Sequence, residues 1–111
     1  MSISDPQHRA AVETAAAHAE LVLPLFEAHR PDDARPRLAI EAAHAWVRGE
    51  ISVGDARTAA FAAHAAARAS TDPAAKNAAR SAGHAASSVY VASHAPHAKK
   101  YADAARAGDV G

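Results

Sequence analysis

Along the first quarter of the chain the apolar positions recur at helical spacing. Val12, Ala16, Ala19, Leu23 and Phe26 stand 4, 3, 4 and 3 residues apart, which is one face of a helix. Ser4-Asp5-Pro6 ahead of them reads as an N-cap followed by a first-turn proline. The pattern predicts a first helix over 6–29. Pro24 falls inside it, removing one backbone donor and crowding the carbonyl four residues back, so a kink or break is expected near Leu21–Leu23. The stretch from Arg30 to Pro36, with two prolines and two aspartates, is a turn. A second helix follows over 36–48 and stops at Gly49. Ser52 and Asp55 have capping-box spacing and open a third helix over 53–69. Asp72-Pro73 starts a fourth over 73–95, which Pro96 ends or bends, and a last helix spans 97–107 before Gly108. No stretch alternates with period two, and alanine, the best helix former, is everywhere. The expected fold class is all-α: a compact bundle of about five helices in a single domain spanning 1–111.

Composition changes what such a bundle must be made of. The 111 residues include 35 alanines, while Leu, Ile and Val together number 14 and aromatics make up 5%. A buried methyl contributes only about 0.8 kcal/mol, but small side chains let helices approach closely. The large side chains then matter disproportionately, and the expected core is Leu21, Leu23, Leu25, Phe26, Leu38, Ile40, Trp46, Val47, Phe61, Val89 and Val91. So thin a core is expected to bury further surface by self-association, as a homodimer.

Twelve basic residues balance twelve acidic ones. With no global positive field, nucleic acid and anionic membranes are not expected as partners. No apolar run approaches the roughly 18 residues of a membrane span, and no charged segment precedes an apolar one in the manner of a secretion signal. The absence of cysteine removes disulfides, thiolate metal sites and a thiol nucleophile together. It fits any compartment, and the cytoplasm is the default expectation.

Candidate chemistry is confined to charged and histidine-bearing stripes. Arg37, Glu41, His44 and Arg48 share one face of the second helix, at steps that permit ion pairs. Arg57, Phe61, His64 and Arg68 share a stripe of the third, and Arg80, His84, Ser87 and Val91 one of the fourth. Arg35 and Arg37 stand at the positive end of a helix dipole, so a nearby carboxylate, such as Asp33, is expected to compensate them. If the stripes pack side by side, Arg35, Arg37, Glu41, Arg57, His64, Arg68, Arg80 and His84 form a partner-binding surface with a local basic patch, suited to an acidic protein. The competing reading is internal neutralisation by Asp33, Glu41 and Asp55. Gly83 costs about 1 kcal/mol of helix propensity relative to Ala. In an alanine-rich chain this implies a bulky group pressed against it, with Trp46 the candidate.

His44, His64 and His84 stand 20 apart, but the residues around them do not match at fixed offsets, so we read an echo and not a solenoid repeat. No two histidines have the i,i+4 spacing of a helical zinc pair, and Pro96 separates His94 from His97. No metal or other cofactor is therefore expected. The alternative, a histidine-rich bundle holding a metal ion or small ligand, would draw on His44, His64, His84 and His94 from different helices. There is no Gly-rich phosphate loop and no nucleophile elbow, so an enzyme is not expected.

Several segments, in this order and spacing, carry a resemblance. They are Val22-Leu23-Pro24-Leu25-Phe26-Glu27, Pro31 to Ala42, and Trp46-Val47-Arg48-Gly49-Glu50-Ile51, then Ala56-Arg57, Ala63 to Arg68, Ala82-Gly83-His84-Ala85, His94-Ala95 and Tyr101-Ala102. Over roughly residues 20–102 the chain resembles the small alanine-rich immunity proteins of bacterial polymorphic toxin systems. Tyr90 departs from the pattern, standing where a histidine is common. The resemblance implies a helical protein, encoded beside a secreted toxin, that binds and neutralises that cognate toxin. It carries over no catalytic residues.

Overall fold

A computed structural model describes residues 5–110. It contains five α-helices: α1 (Pro6–Glu27), α2 (Arg35–Val47), α3 (Val53–Ala69), α4 (Pro73–Ser87) and α5 (Ala95–Val110), with a short 3₁₀ turn, Ala92–His94, leading into α5. There is no strand among the described residues, and none of their helices is long and apolar enough to cross a membrane.

Local chemistry sets most helix ends. Asp5 caps α1 by accepting from Gln7 N at 2.9 Å, with Pro6 in the first turn; Ser4 lies outside the described residues. Asp55 N donates to Ser52 Oγ at 3.1 Å and Ser52 N to Asp55 Oδ2 at 3.3 Å, closing the capping box of α3. Asp72 caps α4 through Ala75 N at 2.9 Å. Past α2, Gly49 takes φ +77°, a left-handed conformation that costs glycine nothing.

Three expected boundaries are corrected. The expected fourth helix over 73–95 ends at Ser87, and α5 starts at Ala95, not 97, and continues to Val110, past 107. At the break, Ser87 Oγ and Ser88 Oγ donate back to the carbonyls of His84 and Ala85. Val89 and Tyr90 then bond three residues back, tightening the last turn. The Val-Tyr-Val run that follows has low helix propensity. Pro96 sits in the first turn of α5, where a missing N–H costs nothing, so it opens a helix where the sequence suggested an end. Smaller differences fall at the end of α1, which stops at Glu27 instead of 29, and at both ends of α2. Nor does Pro24 break α1, which is helical throughout Leu21–Leu23; Pro24 and Glu20 lie on the exposed side, where a lost backbone donor costs less than in the core.

α4 is the helix against which each of the other four packs. Its buried residues are Ala74, Ala75, Ala78, Ala79, Ser81, Ala82, Gly83, Ala85, Ala86 and Ser87, none larger than serine. Small side chains at the centre are what allow four neighbours around one helix. Two clusters fill the remaining space. One holds Val12, Leu23, Ile40, Trp46 and Val89 among alanines. The other holds Val22 and Phe26 against seven alanines drawn from α3, α4 and α5. The five-residue stripe of α1 is buried throughout. Three expected core residues are not: Leu21, Leu38 and Phe61 are 65%, 53% and 61% exposed. Each stands out of phase with the buried face of its helix. Leu25, Val47 and Val91 are half-buried.

Candidate functional site

The eight candidate binding residues separate into two groups. Arg35, Arg37 and Glu41 belong to α2, and the two arginines are held by carboxylates. Arg35 donates through Nε and Nη2 to Asp33 at 2.9 and 2.7 Å, and this hydrogen bonding holds the Asp33 carboxyl below the usual range. Arg37 donates to both oxygens of Glu27 at 2.8 and 2.6 Å, across to α1. His44 Nδ1 donates to Glu13, and its Nε2 lies 3.3 Å from Glu20. Glu13, Glu20 and Glu27, seven residues apart on α1, therefore form one seam with His44 and Arg37 of α2. The expected within-helix pairing of Arg37 with Glu41 gives way to these cross-helix partners. Arg48 turns to Glu50 instead, at 2.9 Å. An open depression of about 580 Å³ lies at the α1–α2 turn, and Arg35 is the one candidate residue in its wall.

The second group comes together where α3, α4 and α5 meet. His84 of α4 is its centre. Ring centroids of His64 (α3), His94 (3₁₀ turn) and His97 (α5) lie 4.9, 5.2 and 5.3 Å from it, and Tyr101 stacks parallel on it at 5.1 Å. The guanidinium of Arg80 lies over Tyr101 at 5.8 Å, as does the ammonium of Lys100. Burial first, then the neighbouring His64, His94, His97 and Arg80, push the His84 imidazole down to about 4. His64 is lowered by burial and by Arg68, His94 and Arg80. His64 and His84 are thus held toward the neutral form beside the cationic Arg68 and Arg80. Arg57, farther along α3, lies over the Tyr90 ring at 4.8 Å.

Of the four histidines in the metal alternative, His64, His84 and His94 meet, while His44 is engaged with Glu13 and Glu20 on α1. No group of three or more His, Asp or Glu side chains among the described residues is arranged to hold a metal ion. His97 and Tyr101 complete the cluster and were not among the candidate residues. Pro96 hid them, because a helix ending there would have carried His97 away from His94.

Gly83 is where the sequence signal was sound and its expected partner was not. A Cβ there would stand 2.6–2.8 Å from three ring atoms of His64, so the histidine, and not Trp46, occupies the space. Trp46 instead packs in the core with His8 tilted over it at 5.0 Å, and His8 Nε2 donates to Ser88 O at 2.7 Å. Alanine in a helix normally gains about 1 kcal/mol over glycine. Overpacking costs about 1–3 kcal/mol. Gly83→Ala is therefore expected to lower stability by about 1 kcal/mol in the native chain and to raise it in a His64→Ala background. Urea unfolding of the four species reads this, and stabilisation by Gly83→Ala in both backgrounds would refute it.

A family model described as "Imm-5 like putative immunity protein" matches residues 1–110. No curated protein and no solved structure matches the chain.

Proposed function

The chain belongs to the Imm-5-like immunity protein family, and from this membership we propose that it is a non-enzymatic binding protein of the cytoplasm that captures and neutralises a cognate toxin. The family implies a toxin as partner. The observation that carries the choice of surface is the basic and aromatic face of α3, α4 and α5. On it Arg57, Phe61, His64 and Arg68 follow one another along α3, and Phe61 is 61% exposed. The histidine cluster with Arg80 adjoins it. Aromatic and arginine side chains are the types that dominate interface energetics, and a cationic rim on a chain of zero formal net charge steers acidic proteins without drawing nucleic acid generally.

Capture of the toxin encoded beside the gene, measured by calorimetry, tests the reading. Phe61→Ala and Arg68→Ala are each expected to weaken capture by about 1 kcal/mol or more while leaving the melting temperature unchanged. Arg37→Ala is expected to lower the melting temperature and leave capture intact, because its carboxylate partner lies on α1. Loss of stability with unchanged capture in the α3 variants would return this face to the fold.

Self-association belongs to the same proposal. Leu21 and Leu38, both more than half exposed, add apolar surface, apart from the capture face, that a second copy can bury. Light scattering at micromolar concentration is expected to give twice the monomer mass. A monomer whose melting temperature does not depend on concentration overturns it.

A further inference from the structure

The histidine cluster contains an unused polar atom at its centre. His84 Nδ1 is buried and has no hydrogen-bond partner. An idle buried nitrogen costs free energy unless something engages it. A second ring is oriented by its neighbour. Ser87 Oγ gives its one proton to the His84 carbonyl at 3.2 Å, so at 2.7 Å it accepts from His94 Nδ1–H. In that tautomer His94 Nε2 carries the lone pair. His64 is seated against Gly83, and His97 and Tyr101 close the group from α5.

The charges around these rings have one sign. From α3 come His64 and Arg68, from the 3₁₀ turn His94, and from α5 His97, with Lys100 over Tyr101; α4 itself adds Arg80. Every group acting on His84 or His64 from a packed element lowers its proton affinity, and none is a carboxylate. A divalent cation entering here would meet two guanidinium groups and no anionic ligand. An anion meets the reverse. It offsets the like charges that add to burial in disfavouring the protonated forms of His84 and His64, and a ring that takes up a proton becomes a second donor to it.

We infer that this cluster is a receptor for a carboxylate: an acidic side chain of the bound partner enters among His64, His84, His94 and His97 and is taken up together with a proton from solvent. The inference rests on the proposed function in that the carboxylate comes from a partner protein. No bond is made or broken; the neutral imidazole gains a proton and the ligand oxygen accepts its hydrogen bond. Binding is then pH-linked, tightening by up to about tenfold per pH unit for each proton taken up.

The test is a titration of the full chain with hexaglutamate at pH 7.5 and 6.0, followed by NMR of the histidine ring protons. Inorganic phosphate serves as the comparison. Tighter peptide binding by roughly tenfold at the lower pH, with the titration midpoint of His84 rising from about 4, supports the receptor. His84→Asn should remove the pH dependence, and His97→Asn, at an exposed position, should reduce it without threatening the fold. Peptide binding that is independent of pH overturns the inference, as does an equal response to phosphate at the same rings. So does unchanged pH dependence in both variants. The toxin-capture experiment is separate: capture with no response to hexaglutamate defeats the receptor alone, and the converse defeats the immunity reading alone.

Discussion

Replacing Phe26 by Ala is expected to cost about 3–5 kcal/mol, enough to unfold much of the population of a marginally stable protein. Phe26 is fully buried, and the other buried members of its cluster are Val22 and alanines of α3, α4 and α5. An alanine methyl has no rotamer by which to move into a vacated ring-sized space, so the cavity persists and its cost adds to the lost transfer free energy. The denaturant midpoint should fall with little change in slope. The paired measurement is Phe61→Ala, at a phenylalanine that is 61% exposed; it is expected to stay within about 0.5 kcal/mol. Two phenylalanines with equal effects, or a loss under about 1 kcal/mol at Phe26, would show that the core does not depend on its few large groups.

That contrast also marks what the sequence made legible. Helix ends written in local chemistry were readable: the Ser52–Asp55 box and the Asp72-Pro73 pair fix the starts of α3 and α4 to the residue. The end of α4 was not, because it depends on serine hydroxyls turning back on their own helix, a choice made in three dimensions. The core was misjudged where size was ranked above phase. Leu38 stands two positions from both Pro36 and Ile40, and so on the far side of α2 from its buried face. Glycine in the middle of α4 gave a true signal of close approach, but only packing identifies His64 as the neighbour. Charge pairing failed for a similar reason. Spacing within α2 suggested Arg37 with Glu41, whereas the seven-residue recurrence of Glu13, Glu20 and Glu27 on α1 was the feature that matched. Of the eight candidate residues, His64, Arg68, Arg80 and His84 lie near one another, Arg57 lies over Tyr90, and Arg35 and Arg37 are tied to the turn and to α1.

The same histidine cluster makes stability fall in mild acid. His84 is held near 4 in the folded chain and has an ordinary value of 6.5 when unfolded; His64 is displaced in the same direction. Between those values the unfolded chain binds more protons than the folded one, so stability rises with pH across the window. The contribution is complete above about 6.5 and is lost as pH falls toward 4. Taken in full, the His84 displacement corresponds to about 3 kcal/mol, and solvent at this half-buried site reduces it to about 1–2 kcal/mol. Urea unfolding at pH 7.5, 6.5, 5.5 and 4.5 is expected to trace that decline, and His84→Asn to flatten it. The carboxylates held below their ordinary range, Asp33 by Arg35 and Asp103 by Lys99, act in a lower window, since their contributions are present above about 3.8 and disappear below it. A profile that is level from 6.5 to 4.5 and falls only below 4 would assign the acid sensitivity to those carboxylates and remove the cluster from the account. If the slope lies above 4.5 and vanishes with His84, the strain of packing four imidazoles without an anion is what the fold gives up in acid, and a bound carboxylate should restore it.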